Sequence, residues 1–416
     1  MGKLLLFEIK KIIRSRYSMI LLLLLLLAIG TFFIYSHTQA ETIEDRMEIL
    51  EETTAMLEHE HIRDLEKQIE EDPSLEEDHE VQEQLAFLQQ QLKEEETELL
   101  ALQEQDWQTL YSLDIEKDKE RIEELEDPYY PFRNMVKWPT DFSERVTYHQ
   151  MVWLKEHDIK PILPYNIFGT MTIYDRQHDS PEIEESISRY SNKFSTNAFY
   201  FLYKFLSYFF SMLGIGFFLF LFADIVTKEG IGAYGPANFL FTQPLTRGKI
   251  YISKFLTLIV STVVVFLSLS FFSLLLGVVF DDLGSWNYPI LIYQPEEEFM
   301  FMPLLSFIGI ASLLFLMVLL FCYSILLLAS LLTKRLTIAI GITFIIIIIG
   351  TIFSSSADSS WAAFNPFHYF QVYDIVSLEM AALEDNFRMN WQNGLITLAI
   401  SSALLLSGTY FLARKN

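Results

Sequence analysis

Three closely spaced glycines are the first candidate for chemistry in this sequence. Gly230, Gly232 and Gly235 have the G-x-G-x-x-G spacing that holds a dinucleotide pyrophosphate when a β-strand precedes it and a helix follows. Here a long apolar run precedes the glycines, and Arg247 and Lys249 stand where that fold needs an acidic residue. The sequence also contains no P-loop of the form G-x-x-x-x-G-K-[ST]. We therefore predict that the chain itself binds no nucleotide and uses no cofactor.

His59, Glu60 and His61 are the second candidate, because two histidines and a carboxylate can hold a metal ion. On a helix, residues two positions apart point roughly 200° away from each other, so the two imidazoles cannot share one ion. The single cysteine, Cys322, lies in an apolar run and offers neither a disulfide nor a cysteine metal site. No local Ser/His/Asp or Cys/His motif is present. The sequence therefore predicts no catalytic residues, no metal site and no enzymatic activity.

The dominant elements of the chain are apolar runs long enough to cross the roughly 30 Å of hydrocarbon in a bilayer. They predict an all-α polytopic membrane protein with six transmembrane helices. Lys204 is the only charged residue within the runs. Proton-driven pumps usually carry carboxylates at such positions, so we expect the driving force to come from a cytoplasmic partner. The predicted spans are Tyr17–Tyr35, Ala198–Ala223, Phe255–Phe280, Met302–Leu332, Leu336–Phe353 and Leu395–Ala413.

Lys and Arg in the short flanks predict the orientation of these spans in the bilayer. One set of flanks carries thirteen Lys and Arg residues, whereas the opposite short loops carry only Arg388. Basic residues stay on the cytoplasmic side, so both termini are predicted to be cytoplasmic. Residues 1–16 have a basic and an apolar face, which is typical of a helix lying on the inner leaflet. A secretory signal peptide that ends near Ala40 is the alternative for the N-terminus.

Acidic residues are concentrated between the first and second spans. Glu41–Glu126 holds 31 acidic and 7 basic residues, so its net charge of −24 equals that of the whole chain. We divide the sequence into a cytoplasmic interfacial helix at 1–16, a first span at 17–35, an extracytoplasmic domain at 36–197 and a membrane domain at 198–416. Within the outer domain, 41–126 is predicted as an acidic coiled coil and 128–197 as a mixed subdomain. This charge excludes nucleic acid as a partner and favours an extracellular cationic ligand.

Heptad spacing supports the coiled-coil prediction. Two helical segments meet at Asp72-Pro73-Ser74, which favours an antiparallel hairpin, although pairing with a second protomer fits the pattern equally well. The segment Ser74–Glu126 would form a stalk of roughly 75 Å if it were one unbroken helix. The second segment carries the stripe Val81, Leu85, Leu88, Leu92, Glu95, Leu99, Leu102 and Asp106, and the first carries the weaker stripe Ile43, Met47, Leu50, Leu57 and Leu65.

Three short segments share a family pattern. They are the basic N-terminal stretch Phe7–Arg16, the inner loop with Glu229-Gly230, Gln243-Pro244-Leu245-Thr246-Arg247 and Lys254, and Asn365-Pro366-Phe367 before the last span. In this order they resemble the signatures of ABC-2 type permeases, the membrane subunits of one class of ATP-binding cassette (ABC) exporters. The sequence departs from the family pattern in the insert 36–197 and in the composition of Gly232–Phe241.

This resemblance implies partners and residue roles. The partners are a cytoplasmic ABC ATPase subunit, a second permease protomer, identical or related, and the lipid bilayer. Basic residues beside a span can also serve membrane topology alone, which is the alternative for the inner loop. The resemblance assigns ATPase coupling to Glu229, Gly230, Pro244, Thr246, Arg247, Lys249 and Lys254, and an interfacial helix to Glu8, Lys10, Lys11 and Arg14.

The substrate path is predicted from aromatic residues in the second span and from the turn before the last span. The alternative for these aromatic residues is an interfacial belt or helix packing. The function expected from the resemblance is export of a hydrophobic or amphipathic substrate, such as a peptide, drug, lipid or envelope precursor. A non-transporting sensor or envelope scaffold, whose coiled coil binds an extracellular partner, is the alternative. The candidate path residues are Tyr203, Tyr208, Phe209, Asn365 and Pro366.

Overall fold

The computed structural model describes residues 14–72, 78–127, 138–163, 171–176, 193–227, 247–333, 335–354 and 362–415, together with residues 10, 12 and 75. The chain divides into two compact units. We call them the apolar unit, made of Met1–Tyr35, Thr196–Trp286 and Ile290–Asn416, and the acidic unit, made of Ser36–Ser195 and Asn287–Pro289.

The acidic unit begins with a helical hairpin. Helix α2 (Ile43–Met56) continues through a π-helical turn (Leu57–Ile62) into α3 (Arg63–Glu71), and α4 (His79–Glu104) returns against them. Thr42 caps α2 by accepting a hydrogen bond from the backbone N–H of Asp45, whose carboxylate accepts one from the N–H of Thr42. This reciprocal pair satisfies two of the N–H groups that a helix start leaves without partners.

The two arms of the hairpin pack on each other within one chain. Leu50 of α2 and Leu102 of α4 belong to one buried cluster, in which Leu50 is 2% and Leu102 0% exposed. Beside it, Arg46 donates a hydrogen bond to Glu98 over 2.8 Å. Leu57 and Ile62 are also buried, although they are five residues apart. The π-helical turn, whose hydrogen bonds reach one residue further than those of an α-helix, places both on the inner side.

The chain does not form one unbroken helix from 74 to 126. Gln105 ends α4 in a left-handed conformation, with φ at 54°, and α5 (Trp107–Glu126) starts directly after it. Asp106 caps α5 by accepting a hydrogen bond from the N–H of Thr109. The predicted stalk of roughly 75 Å was therefore wrong, because Asp106, placed in the heptad stripe by the sequence, starts a new helix instead of continuing the old one.

Helix α6 (Asp141–Glu156) of the acidic unit packs against α5 and is followed by a 3₁₀ turn (Ile173–Arg176). Arg121 donates two hydrogen bonds to Glu144, at 2.9 and 2.7 Å, and Glu144 is 4% exposed. The hydroxyl of Tyr111, which is 1% exposed, donates to the carbonyl of Ile159 over 2.8 Å. The carboxylate of the buried Asp175 accepts hydrogen bonds from the start of α6. These contacts give hydrogen-bond partners to buried polar groups that would otherwise lack them.

The apolar unit consists of long helices. Five described helices, or six if one bent pair is counted as a span, are long and apolar enough to cross a bilayer. The protein is therefore a multi-pass membrane protein, as predicted. The helices are α1 (Arg16–Gln39), α7 (Ala198–Phe209), α8 (Met212–Thr227), α9 (Arg247–Phe280), α10 (Leu304–Thr333), α11 (Leu336–Ser354) and α14 (Trp391–Lys415).

The second predicted span is broken into α7 and α8, whose axes differ by 76°. Helix α7 runs antiparallel to the end of α9, since Ala198 lies beside Gly277 and the ring of Phe210 lies 5.6 Å from that of Phe266. A Cβ atom on Gly277 would lie 2.3 Å from the Cα of Ala198. Only a glycine therefore permits this close approach of the two backbones.

Short elements connect the long helices. Strands β1 (Pro289–Tyr293) and β2 (Phe299–Pro303) form a two-stranded sheet. A 3₁₀ turn (Pro366–Phe370) and the short helices α12 (Val372–Val376) and α13 (Glu379–Leu383) precede α14. The 3₁₀ turn contacts α10, α11 and α14, so it is packed among long helices.

Candidate functional site

The predicted coupling loop lies mostly outside the described residues. Glu229, Gly230, Pro244 and Thr246 fall there, as do Glu8 and Lys11 of the predicted interfacial helix. Arg247 and Lys249 belong to the first turn of α9, which starts at Arg247. Lys254, which we placed at the opening of the third span, lies two turns into α9 and is 5% exposed. Lys10 and Arg14 are exposed.

Two of the candidate path residues lie in one aromatic cluster. The ring of Tyr203 lies 5.2 Å from that of Tyr373 and 5.7 Å from that of Phe307. Phe209 is 1% exposed, and its ring lies 6.1 Å from that of Phe315. We call the rings of Tyr203, Phe209, Phe210, Phe307, Phe315 and Tyr373 the aromatic cluster.

Tyr208 points away from this cluster. It is 54% exposed, and its ring lies edge-on to Phe32 of α1 at 5.4 Å. Asn365 and Pro366 form the start of the 3₁₀ turn, where the Asn365 side chain accepts a hydrogen bond from the N–H of Phe367 over 3.1 Å. The ring of Phe367 packs on Phe321 at 5.4 Å. The five candidate path residues therefore occupy three different surroundings, and Asn365 acts as a helix cap.

No pattern in the sequence indicates the partners of these residues in α10 and α12. Phe315 and Phe210 stack at 4.5 Å, and Tyr373 donates a hydrogen bond from its hydroxyl to the carbonyl of Tyr203 over 3.0 Å. Deeper in the unit, Thr262 and Tyr323 share a hydrogen bond of 2.7 Å between α9 and α10. Polar residues inside apolar runs are a usable signal for such helix contacts. Aromatic residues inside apolar runs do not indicate which helices are in contact, because every apolar run of this sequence contains them.

The arrangement offers apolar and aromatic contact rather than reaction chemistry. Ring pairs at these distances are stabilised by dispersion and quadrupole interactions. Among the described residues, no group of three His, Cys, Asp or Glu side chains could hold a metal ion. The cluster can therefore pack helices or contact an apolar ligand.

Electrostatic strain is concentrated in the acidic unit, where α2, α4 and α5 meet. Burial and the nearby Glu98 and Asp118 raise the pKa of Asp114 to about 7. Burial likewise raises the pKa of Glu95 on α4 and that of Glu41 just before α2. The guanidinium of Arg46 opposes each of these three shifts. One guanidinium therefore offsets part of the charge of several carboxylates, and an excess of negative charge remains where these helices meet.

Comparison with protein families gives one result for nearly the whole chain. The family described as "ABC-2 family transporter protein" matches residues 3–416. Comparisons with curated proteins and with solved structures give no significant match. The family match includes the acidic unit as well as the apolar unit.

Proposed function

This chain belongs to the ABC-2 transporter family, and we propose that it is the permease subunit of an ABC exporter in a bacterial cell membrane. The family is a membrane component of transporters, is not itself catalytic, and implies an ABC ATPase as partner. The observation that carries the proposal is the family match over residues 3–416, together with long apolar helices. In the proposed complex, two permease protomers each bind a separate cytoplasmic ATPase subunit.

The proposed coupling region is Glu229–Lys254, which comprises the inner loop after α8 and the first two turns of α9. Arg247, Lys249 and Lys254 give this segment a basic character, and Pro244 restricts its backbone. A loop of this kind suits a groove on an ATPase that changes shape when ATP binds. The loop joins α8 to α9, so its displacement acts directly on the broken second span.

Export of a hydrophobic or amphipathic substrate is the transport activity that we propose. The aromatic cluster supports it, because its rings offer apolar contact beside the broken second span, which leads to the coupling loop. Carboxylates that could drive transport by protons are absent from the predicted spans in the sequence. ATP hydrolysis in the partner is the energy source that remains.

The acidic unit supports a second proposal, that an extracellular cationic ligand binds it. Residues Glu41–Glu126 carry a net charge of −24, and such a field attracts cations. The same unit also supports the alternative of a membrane sensor or scaffold, since Ser36–Ser195 is compact in its own right.

Copurification tests the permease proposal against the sensor alternative. We expect tagged permease to recover, in neutral-lipid nanodiscs, an ABC ATPase that is encoded by a neighbouring gene and expressed with it. We expect Arg247→Glu to reduce recovery about tenfold, equivalent to ~1.4 kcal/mol. Arg388→Glu, the same charge reversal in an opposite loop, is the matched control and should bind normally. Equal recovery from all variants would leave the inner basic residues with a topological role only, and no recovery from wild type would favour the sensor.

A further inference from the structure

The break in the second span is built by specific residues rather than by general flexibility. Alone, α7 and α8 are too short to cross the roughly 30 Å of hydrocarbon, at about 1.5 Å per residue. Phe210, between them, has φ at −80° and ψ at 45°, outside the helical region, and its N–H donates to the carbonyl of Leu206 over 2.8 Å. The span therefore has one defined joint, at residues 210–214.

Ser211 satisfies backbone groups that the joint exposes. Its hydroxyl donates to the carbonyl of Tyr208 over 2.6 Å and accepts from the N–H of Leu213 over 3.3 Å. The first hydrogen bond closes α7, and the second caps α8. Side-chain hydroxyls of this kind allow a helix to break inside a membrane, where no water can serve the freed groups.

Gly214 makes the sharp angle sterically possible. A Cβ atom at this position would lie 2.0 Å from the carbonyl oxygen of Phe209 and 3.0 Å from Cζ of Phe315. In a continuous α-helix the carbonyl of Phe209 would instead accept a hydrogen bond from the N–H of residue 213, which keeps it clear of a side chain at 214. Any side chain at 214 therefore favours a straighter span.

The two sides of the joint share contacts with α10 but differ in their main partners. Helix α7 packs mainly on α9, and the N–H groups of Ala198 and Phe199 donate to the carbonyls of Asp282 and Leu283, just after the end of α9, over 2.9 and 3.2 Å. Helix α8 packs mainly on α10 and α11 and less on α9, with the ring of Phe220 at 5.2 Å from that of Phe344. The ring of Phe315 on α10 lies next to the joint, stacked on Phe210.

We propose that residues 210–214 are the hinge of the transport cycle, about which α8 changes its angle to α7 when the ATPase moves the inner loop. This inference rests on the proposed function, because α8 leads directly into the coupling loop. Helix α7 keeps its contacts with α9 during the movement. The ring of Phe315 stays in contact with the hinge residues while α8 changes its angle. The aromatic cluster is thereby opened and closed from the cytoplasmic side.

Distances between spin labels at positions 199 and 220 test the hinge in the full chain. Labels there are roughly 25 Å apart across the observed 76° bend and roughly 32 Å apart along a straight helix, at about 1.5 Å per residue. Cys322, the only cysteine, is replaced by Ala, and labelled permease is mixed with excess unlabelled permease to suppress distances between protomers. The ATPase complex is measured without nucleotide and with a non-hydrolysable ATP analogue.

We expect the wild-type distance to change by several ångströms when the ATP analogue binds. Gly214→Ala should shift the distance toward the straight value, also in permease without ATPase, and should make it insensitive to nucleotide. Gly216→Ala is the matched control two residues away, since its Cβ meets nothing nearer than 3.8 Å, and it should behave as wild type. Ser211→Ala adds no volume but removes the hydroxyl that bonds to the backbone at the joint, so it should broaden the distance distribution. If Gly214→Ala does not fold, the result for Ser211→Ala tests the hinge.

Two results would overturn the hinge. One is an unchanged wild-type distance in a complex that binds and hydrolyses ATP, which would leave the permease proposal intact. The other is a wild-type distance distribution for Gly214→Ala in permease without ATPase. If Gly214→Ala does not fold, the same result for Ser211→Ala would overturn the hinge. Failure of the proposed function looks different, because no ATPase would then be recovered with the permease.

Discussion

At the scale of single residues, the acidic unit holds a carboxylate in an unfavourable position. Asp114 is partly buried on α5, and the groups in electrostatic reach of it are Glu98, Asp118, Lys117 and Arg46. Burial and the two acids outweigh the two cations, which is why its pKa rises from 3.8 to about 7. Sequence alone shows the excess of acid, but not which acid is buried, because burial depends on how α2, α4 and α5 meet.

Asp114→Asn should make the acidic unit more stable at pH 8. A carboxyl with a raised folded-state pKa stabilises the folded state below its unfolded pKa of about 4, and this contribution is lost as the pH rises to about 7. The upper bound is ~4 kcal/mol at about 1.4 kcal/mol for each tenfold change in proton affinity. Partial exposure of the side chain reduces the expected gain to on the order of 2 kcal/mol.

Hydrogen exchange of the full chain measures this effect. Protection factors of peptides from α5, which correct for the intrinsic pH dependence of exchange, should fall in wild type between pH 5.5 and pH 8. Asp114→Asn should show a smaller fall, and not a complete loss of it, because Glu95 has a raised pKa too. Glu120→Gln, an exposed change on the same helix, should follow wild type. A pH dependence as large in Asp114→Asn as in wild type would contradict the assignment.

At the scale of elements, the hairpin depends on its π-helical turn. Buried residues follow the order Leu50, Leu57 and Ile62, so the last step is five residues. In a regular α-helix a step of five rotates a side chain about 140° away from the preceding one. The wider turn between Leu57 and Ile62 absorbs the extra residue.

Deleting Glu60 should therefore be tolerated, because the step from Leu57 to Ile62 becomes four and fits an ordinary α-helix. Deleting Glu52 instead, between Leu50 and Leu57, is the matched control. It rotates the rest of the arm by about 100° and removes two buried side chains from the core, at ~1.5–3 kcal/mol each. Limited proteolysis of the full chain should show a hairpin as resistant as wild type after the first deletion and a sensitive one after the second. Equal sensitivity would show that the π-helical turn has no role in the packing.

The limits of prediction at this scale follow from what each pattern measures. Apolar runs predicted the long helices, because crossing a bilayer demands length and hydrophobicity. The break at Ser211 stayed hidden, since hydrophobicity continues across it and Ser and Gly are common in spans. Asp106 fitted the heptad by spacing, yet its carboxylate is a helix cap. The eight-residue step from Leu57 to Leu65 was the one visible sign of the π-helical turn.

At the scale of the whole molecule, one chain combines two units of very different composition. The apolar unit and the acidic unit are each compact, and the net charge of the whole sequence is carried by residues 41–126. Acidic residues contribute little to orientation, whereas Lys and Arg near the ends of spans dominate it. We therefore expect the side that carries the thirteen basic residues to be cytoplasmic and the side that carries Arg388 to face outward.

We expect a protease site inserted after Asp72, between α3 and α4, to be cleaved from outside in intact cells or spheroplasts. The same site inserted between Ala237 and Asn238, in the proposed inner loop, is the matched control and should be cleaved only after lysis. The reason is the cost of moving the basic flanks outward against the membrane potential, about 2.3 kcal/mol per charge for 100 mV. Immunoblotting of a C-terminal tag distinguishes the two fragments by size. If the insertion after Asp72 were protected and the inner one cleaved in intact cells, the orientation would be reversed, and coupling to a cytoplasmic ATPase through Arg247 would be impossible.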